Sequence, residues 1–315
     1  MAKKVLFIDS VHPALQERLE ENGFECHLAY SLSRQEVLDC IDQYFGVVIR
    51  SRIRMDEHLL SRATNLKFIA RSGAGMENID ISFAEKRGIT CFNAPEGNRD
   101  AVGEHAIGMI LSLFNNLKKG DEEVRQGIWK REENRGVELG GKTVGIIGFG
   151  NNGKAFAQKL SGFGCTVLAY DKYAPPQESS IASPVSLEQI WEQAEVISFH
   201  VPLTEETHYY FDEDFLENCH RPIYLLNMAR GKCVKTDTLV DGLKSGKVLG
   251  ACLDVLEYEK FSFERLQSKD LPDAFRELIE SDKVVLSPHV AGWTHESHKR
   301  LSTVLAEKIL SEFGQ

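Results

Sequence analysis

The run Thr143-Val144-Gly145-Ile146-Ile147 passes directly into Gly148-Phe149-Gly150-Asn151-Asn152-Gly153 and then a helical stretch at 154–160, which leaves this chain few folds to choose from. An apolar strand, three glycines spaced G-x-G-x-x-G and a helix start describe the tight strand-to-helix turn of a parallel sheet. Gly148 suits the sharp turn, Gly150 lets backbone N–H groups approach a pyrophosphate, and Gly153 lets the helix lie close on the strand. The helix N-terminus then aims its partial positive charge at the phosphates. Asn151 and Asn152 fill the variable positions and belong to the same cradle. The next strand ends in Asp171, 18 residues beyond Gly153. A carboxylate there accepts hydrogen bonds from an adenosine ribose and repels a 2′-phosphate, so NAD is expected in preference to NADP.

The flanking sequence repeats the alternation. Strand-like runs at 5–9, 24–29, 46–50, 67–71 and 89–92 are separated by helical stretches; Pro13 and Gly23 bracket the first, and Ser33 with Glu36 forms a capping box for the second. A further series at 143–147, 166–170, 196–200, 223–227 and 248–255 is expected to form a second, five-stranded parallel sheet. Between the two series, Asp100 is expected to cap a long helix with Val102, Ala106, Met109, Ile110, Leu113 and Leu117 on one stripe, followed by a polar segment at 118–141. The last helix, 296–313, is amphipathic with no strand after it, so it is expected to return to the first domain.

Composition narrows the class of partner. With 315 residues, 42% of them hydrophobic, the chain can fill two cores. Lys and Arg number 37 against 47 Asp and Glu, a net charge of −10, so nucleic acid and anionic membrane are not expected partners and any anionic ligand must meet a local basic cluster. The apolar run Val5-Leu6-Phe7-Ile8 is too short for a signal-peptide core and no later run approaches a membrane span, which points to a cytoplasmic protein. The seven cysteines are scattered without a CxxC pair, so reduced thiols are expected, and no His, Cys or Asp spacing suggests a metal.

Three segments of the second half join a reactive side chain to glycine or proline punctuation: Asn227-Met228-Ala229-Arg230-Gly231, Leu253-Asp254-Val255-Leu256-Glu257-Tyr258-Glu259 and Ser287-Pro288-His289-Val290-Ala291-Gly292. In an open α/β sheet the loops after strand C-termini line the ligand crevice, so an arginine, a carboxylate and a histidine on such loops can converge. Oxidising a 2-hydroxy acid needs these types: a base for the hydroxyl proton, a carboxylate beside it to raise its pKa and fix its tautomer, and a guanidinium for the substrate carboxylate.

With those segments, Ile49-Arg50-Ser51-Arg52, the run from Arg71 through Ser72, Gly73, Ala74 and Gly75 to Asp80, Asn93-Ala94-Pro95-Glu96-Gly97-Asn98 and Ser198-Phe199-His200-Val201-Pro202-Leu203, the sequence resembles the D-isomer-specific 2-hydroxy-acid dehydrogenases over nearly its whole length, and most of all the branch acting on 3-phospho-D-glycerate. The resemblance implies two Rossmann-like parallel-sheet α/β domains, flavodoxin-like and NAD-binding, with a cleft that closes on substrate. The expected division is a split substrate-binding domain at 1–100 and 288–315 around an NAD-binding domain at 101–287. By the same likeness Arg230 binds substrate, His289 is the general acid/base and Glu259, chosen over Glu257 by the family motif, pairs with it. Asp254 contacts the nicotinamide amide, and His200, Pro202 and Gly292 line the cofactor. The backbone from Ser72 to Gly75 receives the substrate carboxylate, while Arg50, Arg52, Asn98 and Arg131 bind the distal group, Arg131 reaching across a homodimer.

The implied reaction is oxidation of 3-phospho-D-glycerate to 3-phosphohydroxypyruvate in serine biosynthesis, with hydroxypyruvate or glyoxylate reduction as the alternative and an NADH-sensing corepressor-like protein as a minor one. The chain departs from the family at Lys232-Cys233-Val234-Lys235-Thr236, at Lys260 in place of a proline, and in a long stretch at 260–282 with helical phase at Phe263, Leu266, Phe275, Leu278 and Ile279. His12, His27, His58, His105, His208, His220, His295 and His298 read as surface or structural residues.

Overall fold

Strand and helix alternate along the described part of the chain, as the turn and cap chemistry requires. The computed structural model describes residues 3–174, 177, 179–259 and 272–314. It divides into two compact units, Met1–Asn98 with Trp293–Gln315, and Arg99–Gly292.

The first unit runs β1 (Lys3–Phe7), α1 (Ala14–Glu21), β2 (Phe24–Leu28), α2 (Arg34–Cys40), β3 (Gly46–Ile49) and α3 (Glu57–Arg62). It continues with β4 (Phe68–Arg71), α4 (Ile81–Lys86) and β5 (Thr90–Phe92). Its five strands pair in parallel in the order β2-β1-β3-β4-β5. The Ser33 and Glu36 capping box is present, each side chain closing on the other's backbone N–H.

Helix α5 (Pro95–Phe114) carries the chain into the second unit, which continues with α6 (Leu117–Arg125), β6 (Thr143–Ile147), α7 (Asn151–Leu160), β7 (Thr166–Tyr170), β8 (Ser183–Pro184) and α8 (Leu187–Gln193). Then come β9 (Val196–Phe199), α9 (Glu213–Asn218), β10 (Ile223–Asn227), α10 (Thr236–Ser245), β11 (Val248–Leu253), α11 (Asp273–Glu280) and β12 (Val284–Leu286). The sheet order is β12-β11-β10-β9-β6-β7-β8, all parallel. The order reverses at β6, and the topological switch point beside its C-terminal end is where open α/β sheets take their ligands.

The closing helix α12 (His295–Phe313) belongs to the first unit. Leu301, Leu305, Ala306 and Ile309 are buried with Val5, Phe7, Leu15 and Phe68. At about 1.5–3 kcal/mol for each large apolar side chain removed from water, this stripe is a main source of that unit's stability.

Four expectations change. The second sheet has seven strands rather than five, because β8 and β12, of two and three residues, are too short to leave a periodic signal. Asp100 is not an N-cap: α5 starts at Pro95, whose fixed φ and missing N–H suit a first helical turn. Leu117 leaves the stripe and is 57% exposed, since Asn116 in the left-handed region (φ 50°) ends the run between α5 and α6. In the 260–282 stretch, residues 260–271 with Phe263 and Leu266 lie outside the described residues; α11 buries Phe275 and Leu278 but leaves Ile279 half-exposed.

Candidate active site

In the second unit, the turn between β6 and α7 has the room and the free backbone donors that a pyrophosphate would need. Gly148 has φ +90°, and a Cβ on it would stand 2.8 Å from the backbone carbonyl of His200. A Cβ on Gly153 would lie 2.1 Å from the Gly148 carbonyl oxygen, so the helix can approach the strand only with glycine there. A Cβ on Gly150 meets nothing within 4 Å, and Gly150 N-caps α7 without any side-chain acceptor for the first-turn N–H groups. Those donors, with no acidic residue in the first turn, fit an anionic diphosphate. Asn151 accepts a long 3.5 Å bond from Arg99, and the buried Oδ1 of Asn152 has no partner among the described residues.

Asp171 closes the far side of this turn. Its Oδ2 accepts from Phe149 N–H at 2.8 Å, and Oδ1 from Tyr173 and Ala174 N–H at 3.1 and 2.9 Å. Lys172 is bound to Glu206, which also takes the Tyr173 hydroxyl, so the cation next to Asp171 is already neutralised. The carboxylate therefore sets the local charge, which suits a ribose diol and opposes a 2′-phosphate.

His200 follows β9. One ring nitrogen, Nε2, is 2.9 Å from Ser198 Oγ, while Nδ1 is buried without a partner among the described residues. Burial pushes its pKa down to about 3, so the folded protein holds it neutral. An unfolded chain takes up that proton below the ordinary value near 6.5, and stability is lost as the pH falls from there toward 3. His200→Asn is expected to flatten the dependence of unfolding free energy on pH by up to one proton, about 1.4 kcal/mol per pH unit. Urea titrations between pH 4 and 6 check this; an unchanged slope contradicts it. Pro202, on the same loop, is exposed and accepts the Thr207 hydroxyl at 2.6 Å.

The loop after β12 carries His289. Its Nδ1 lies 3.2 Å from Glu259 Oε2, and both side chains are partly buried. His289 has φ 55°, a conformation that costs a non-glycine residue about 1–3 kcal/mol. The backbone is held there by His289 N–H, which donates to Asp254 O at 2.8 Å and Ser287 O at 3.0 Å. Asp254 is 3% exposed; its carboxylate accepts from Ser287 Oγ at 2.6 Å and from Val290 and Ala291 N–H at 2.9 Å. His105 on α5 completes the group, with Nε2 2.9 Å from Ser287 Oγ and 3.6 Å from Asp254 Oδ1. Asp254, Ser287 and His105 thus form the post on which the strained histidine turn is set, and Gly292 ends that turn.

His105 reads from the sequence only as a surface or structural residue, without this role. Helical phase places it between Val102 and Met109 on the buried stripe of α5, and that was the available signal.

Glu257 and Glu259 separate clearly. Glu257 accepts from the Tyr209 hydroxyl at 2.6 Å and Thr236 N–H at 2.9 Å, away from the histidine. Those bonds pin the strand-end loop of Glu259 to the segment after Arg230. Arg230 lies beyond β10, its carbonyl bound by Asn227 Nδ2 at 3.0 Å and its Nη1 donating to Ala229 O at 2.7 Å. A histidine with a carboxylate at Nδ1 is driven to the tautomer that offers Nε2 as proton acceptor, and on proton uptake the imidazolium is stabilised. Arg131, in the exposed segment after α6, makes no contact with this group among the described residues.

In the first unit the expected substrate residues divide. Arg52 is committed to the fold: its guanidinium donates to Leu32 O at 2.6 Å and Ile8 O at 2.7 Å and pairs with Asp9 at 3.3 Å. Asp9, two residues beyond β1, accepts from the Arg50 backbone N–H with one oxygen and pairs with the Arg52 guanidinium through the other. The Arg50 guanidinium, by contrast, stacks on Trp293 with no hydrogen-bond acceptor among the described residues. Ser72 and Gly73 use their N–H groups on Ile49 O and Arg71 O, which leaves those of Ala74 and Gly75 as the available donors of that turn. The buried Oδ1 of Asn98 has no partner among the described residues.

Comparison with known proteins agrees with this geometry. Residues 107–291 match the family model described as D-isomer specific 2-hydroxyacid dehydrogenase, NAD binding domain. The chain is 33% identical over 310 residues to a D-3-phosphoglycerate dehydrogenase of Archaeoglobus fulgidus, covering 98% of this chain and 57% of that protein. It is 33% identical over 283 residues to a hydroxypyruvate reductase of Thermotoga maritima, covering 90% of this chain and 89% of that one. The chain therefore spans little more than half the length of the curated D-3-phosphoglycerate dehydrogenases it matches. Among solved structures, a D-lactate dehydrogenase from Aquifex aeolicus, complexed with NAD and lactic acid, superposes with a TM-score of 0.82 at 29% identity, covering 98% of this chain and 95% of that one. With a matching family model over more than half its length, a glycine turn that fits a nicotinamide dinucleotide and a full-length relative at this identity, the chain belongs to the D-isomer specific 2-hydroxyacid dehydrogenases, an oxidoreductase family.

Proposed function

We propose that the protein catalyses the NAD-dependent oxidation of a D-2-hydroxy acid to the 2-oxo acid, with 3-phospho-D-glycerate as substrate and 3-phosphohydroxypyruvate as product. The observation that carries the reaction type is the His289–Glu259 pair at 3.2 Å on a turn held in strained geometry. NAD supplies the hydride acceptor. His289 takes the proton of the C2 hydroxyl at Nε2, Glu259 stabilises the imidazolium, and Arg230 binds the carboxylate and the developing carbonyl. Asp254, expected at the nicotinamide amide, acts chiefly by holding the His289 turn. Asp171 takes the adenosine ribose. Ala74 and Gly75 offer N–H groups to the substrate carboxylate, and Asn98 orients the substrate.

The phosphate falls to Arg50, the guanidinium of the Arg50–Arg52 pair that is not engaged with backbone carbonyls. Arg50→Ala is expected to lower kcat/KM for 3-phospho-D-glycerate by roughly 10–100-fold, the loss of one charge-assisted interaction, and to change that for D-glycerate by less than about threefold. Equal losses on both substrates contradict the assignment.

A second reading, reduction of hydroxypyruvate or glyoxylate, is favoured by the match to nearly the full length of the Thermotoga maritima hydroxypyruvate reductase and needs no phosphate ligand. The assembly we propose is a homodimer, supported by the exposed Leu117, Val124 and Trp129 on and after α6, in the segment that carries Arg131.

A further inference from the structure

Around Arg50 the first unit gathers side chains that the reaction above leaves without a task. The guanidinium carbon of Arg50 stands 4.0 Å from the centre of the Trp293 indole. Stacking uses the flat face of a guanidinium and leaves its N–H edge for acceptors in its own plane. His298, in the first turns of α12, lies stacked with the same indole, centroids 6.4 Å apart at 27°. His12, in the loop after β1, meets His298 edge-on at 5.6 Å. Its Nδ1 accepts from Ala14 N–H at 3.2 Å, which leaves the neutral ring's proton on Nε2 as a donor.

The charges around His298 are of one sign. Burial lowers its pKa first, and His12, Arg50 and His295 lower it further. The carboxylate near Arg50 is Asp9, already engaged by the Arg50 backbone N–H at 2.5 Å and by the Arg52 guanidinium. Arg50 and His298 lie against one indole and His12 lies against His298; these three cationic or proton-donating groups, with no side-chain acceptor of their own among the described residues, are arranged to receive an anion.

We propose that Arg50, His298 and His12 form a receptor for a phosphomonoester dianion, with Trp293 as the plate that holds the Arg50 fork in place. This rests on the reading of the substrate as a phosphorylated 2-hydroxy acid, and makes His298, in place of Arg52, the second phosphate ligand. A dianion beside His298 favours its imidazolium, so binding near neutral pH takes up a proton. Affinity is then greatest between the second phosphate pKa, about 6, and the raised pKa of His298 in the complex.

The test is an NMR titration of the histidine side chains in the full chain with NAD, with His298→Gln and His12→Gln used for assignment. Inorganic phosphate, 3-phospho-D-glycerate and D-glycerate are added in separate arms. The expected result is that 3-phospho-D-glycerate raises the His298 pKa by roughly one unit, D-glycerate does not, and His298→Gln weakens 3-phospho-D-glycerate binding roughly tenfold. A response to inorganic phosphate alone would make this a site for the free ion and overturn the assignment to substrate. An equal response to D-glycerate, or none in any arm, overturns it as well. No turnover is required, so a positive titration from a chain that forms no NADH would leave the receptor standing and remove the proposed reaction instead.

Discussion

Replacing His289 by alanine is expected to lower kcat for oxidation of a D-2-hydroxy acid by about 10²–10⁴-fold, the usual contribution of a positioned general acid/base. The substitution removes the only group in the described loop after β12 that pairs with Glu259, and leaves Glu259 half-buried without its partner. NAD affinity should change little, because the glycine turn at 148–153 and Asp171 are built from different elements. Alanine also tolerates φ 55° poorly, so the variant needs a check of its thermal midpoint. Stopped-flow NADH formation beside NAD binding by calorimetry separates the outcomes. A kcat within about threefold of the wild type would remove His289 from the proton transfer.

Gly231→Ala is expected to be the most disruptive single methyl in the second unit. A Cβ there would lie 1.9 Å from the carbonyl oxygen and 2.1 Å from the carbonyl carbon of Leu256. Both are backbone atoms, so no side chain can rotate away; the 254–259 loop must move. That loop is fixed to the neighbouring segment through Glu257, Tyr209 and Thr236, and carries Glu259. Relief of the clash displaces Arg230 on one side and Glu259 on the other. Overpacking of this kind costs about 1–3 kcal/mol, and a displacement near 1 Å in a reacting group costs roughly 10²-fold in rate. Loss of both thermal stability and kcat, with NAD affinity retained, is the expected pattern. A fully active, equally stable variant would mean that the two loops are not coupled as described.

Much of this fold could be read from periodicity and punctuation. Apolar runs separated by caps pointed to the parallel sheets, the Ser33–Glu36 box marked the start of α2, and G-x-G-x-x-G at 148–153 marked the tight turn from β6 into α7. Motif order brought Arg230, Glu259 and His289 forward together. The side-chain arrangement at the candidate site was illegible because it depends on contacts between residues far apart in sequence. Nothing in the local sequence says that Asp9 takes Arg52 while Arg50 turns to Trp293, 243 residues away. Nor does a lone Asp254 announce that Ser287, Val290 and Ala291 will all donate to it and force His289 into a left-handed conformation. β8 and β12 were hidden for another reason, since two or three residues cannot display a period of two.

The central claim, that these loops oxidise a phosphorylated D-2-hydroxy acid, is tested most directly by NADH formation from NAD with 3-phospho-D-glycerate. D-Glycerate runs in parallel, and NADH consumption is followed with 3-phosphohydroxypyruvate, hydroxypyruvate and glyoxylate. Turnover is expected in both directions, with kcat/KM for the phosphorylated pair higher by at least about tenfold, the value of one additional charge-assisted bond. Tight NADH binding with no turnover of any of these acids would contradict it and leave a nucleotide-sensing protein built on the same sheets.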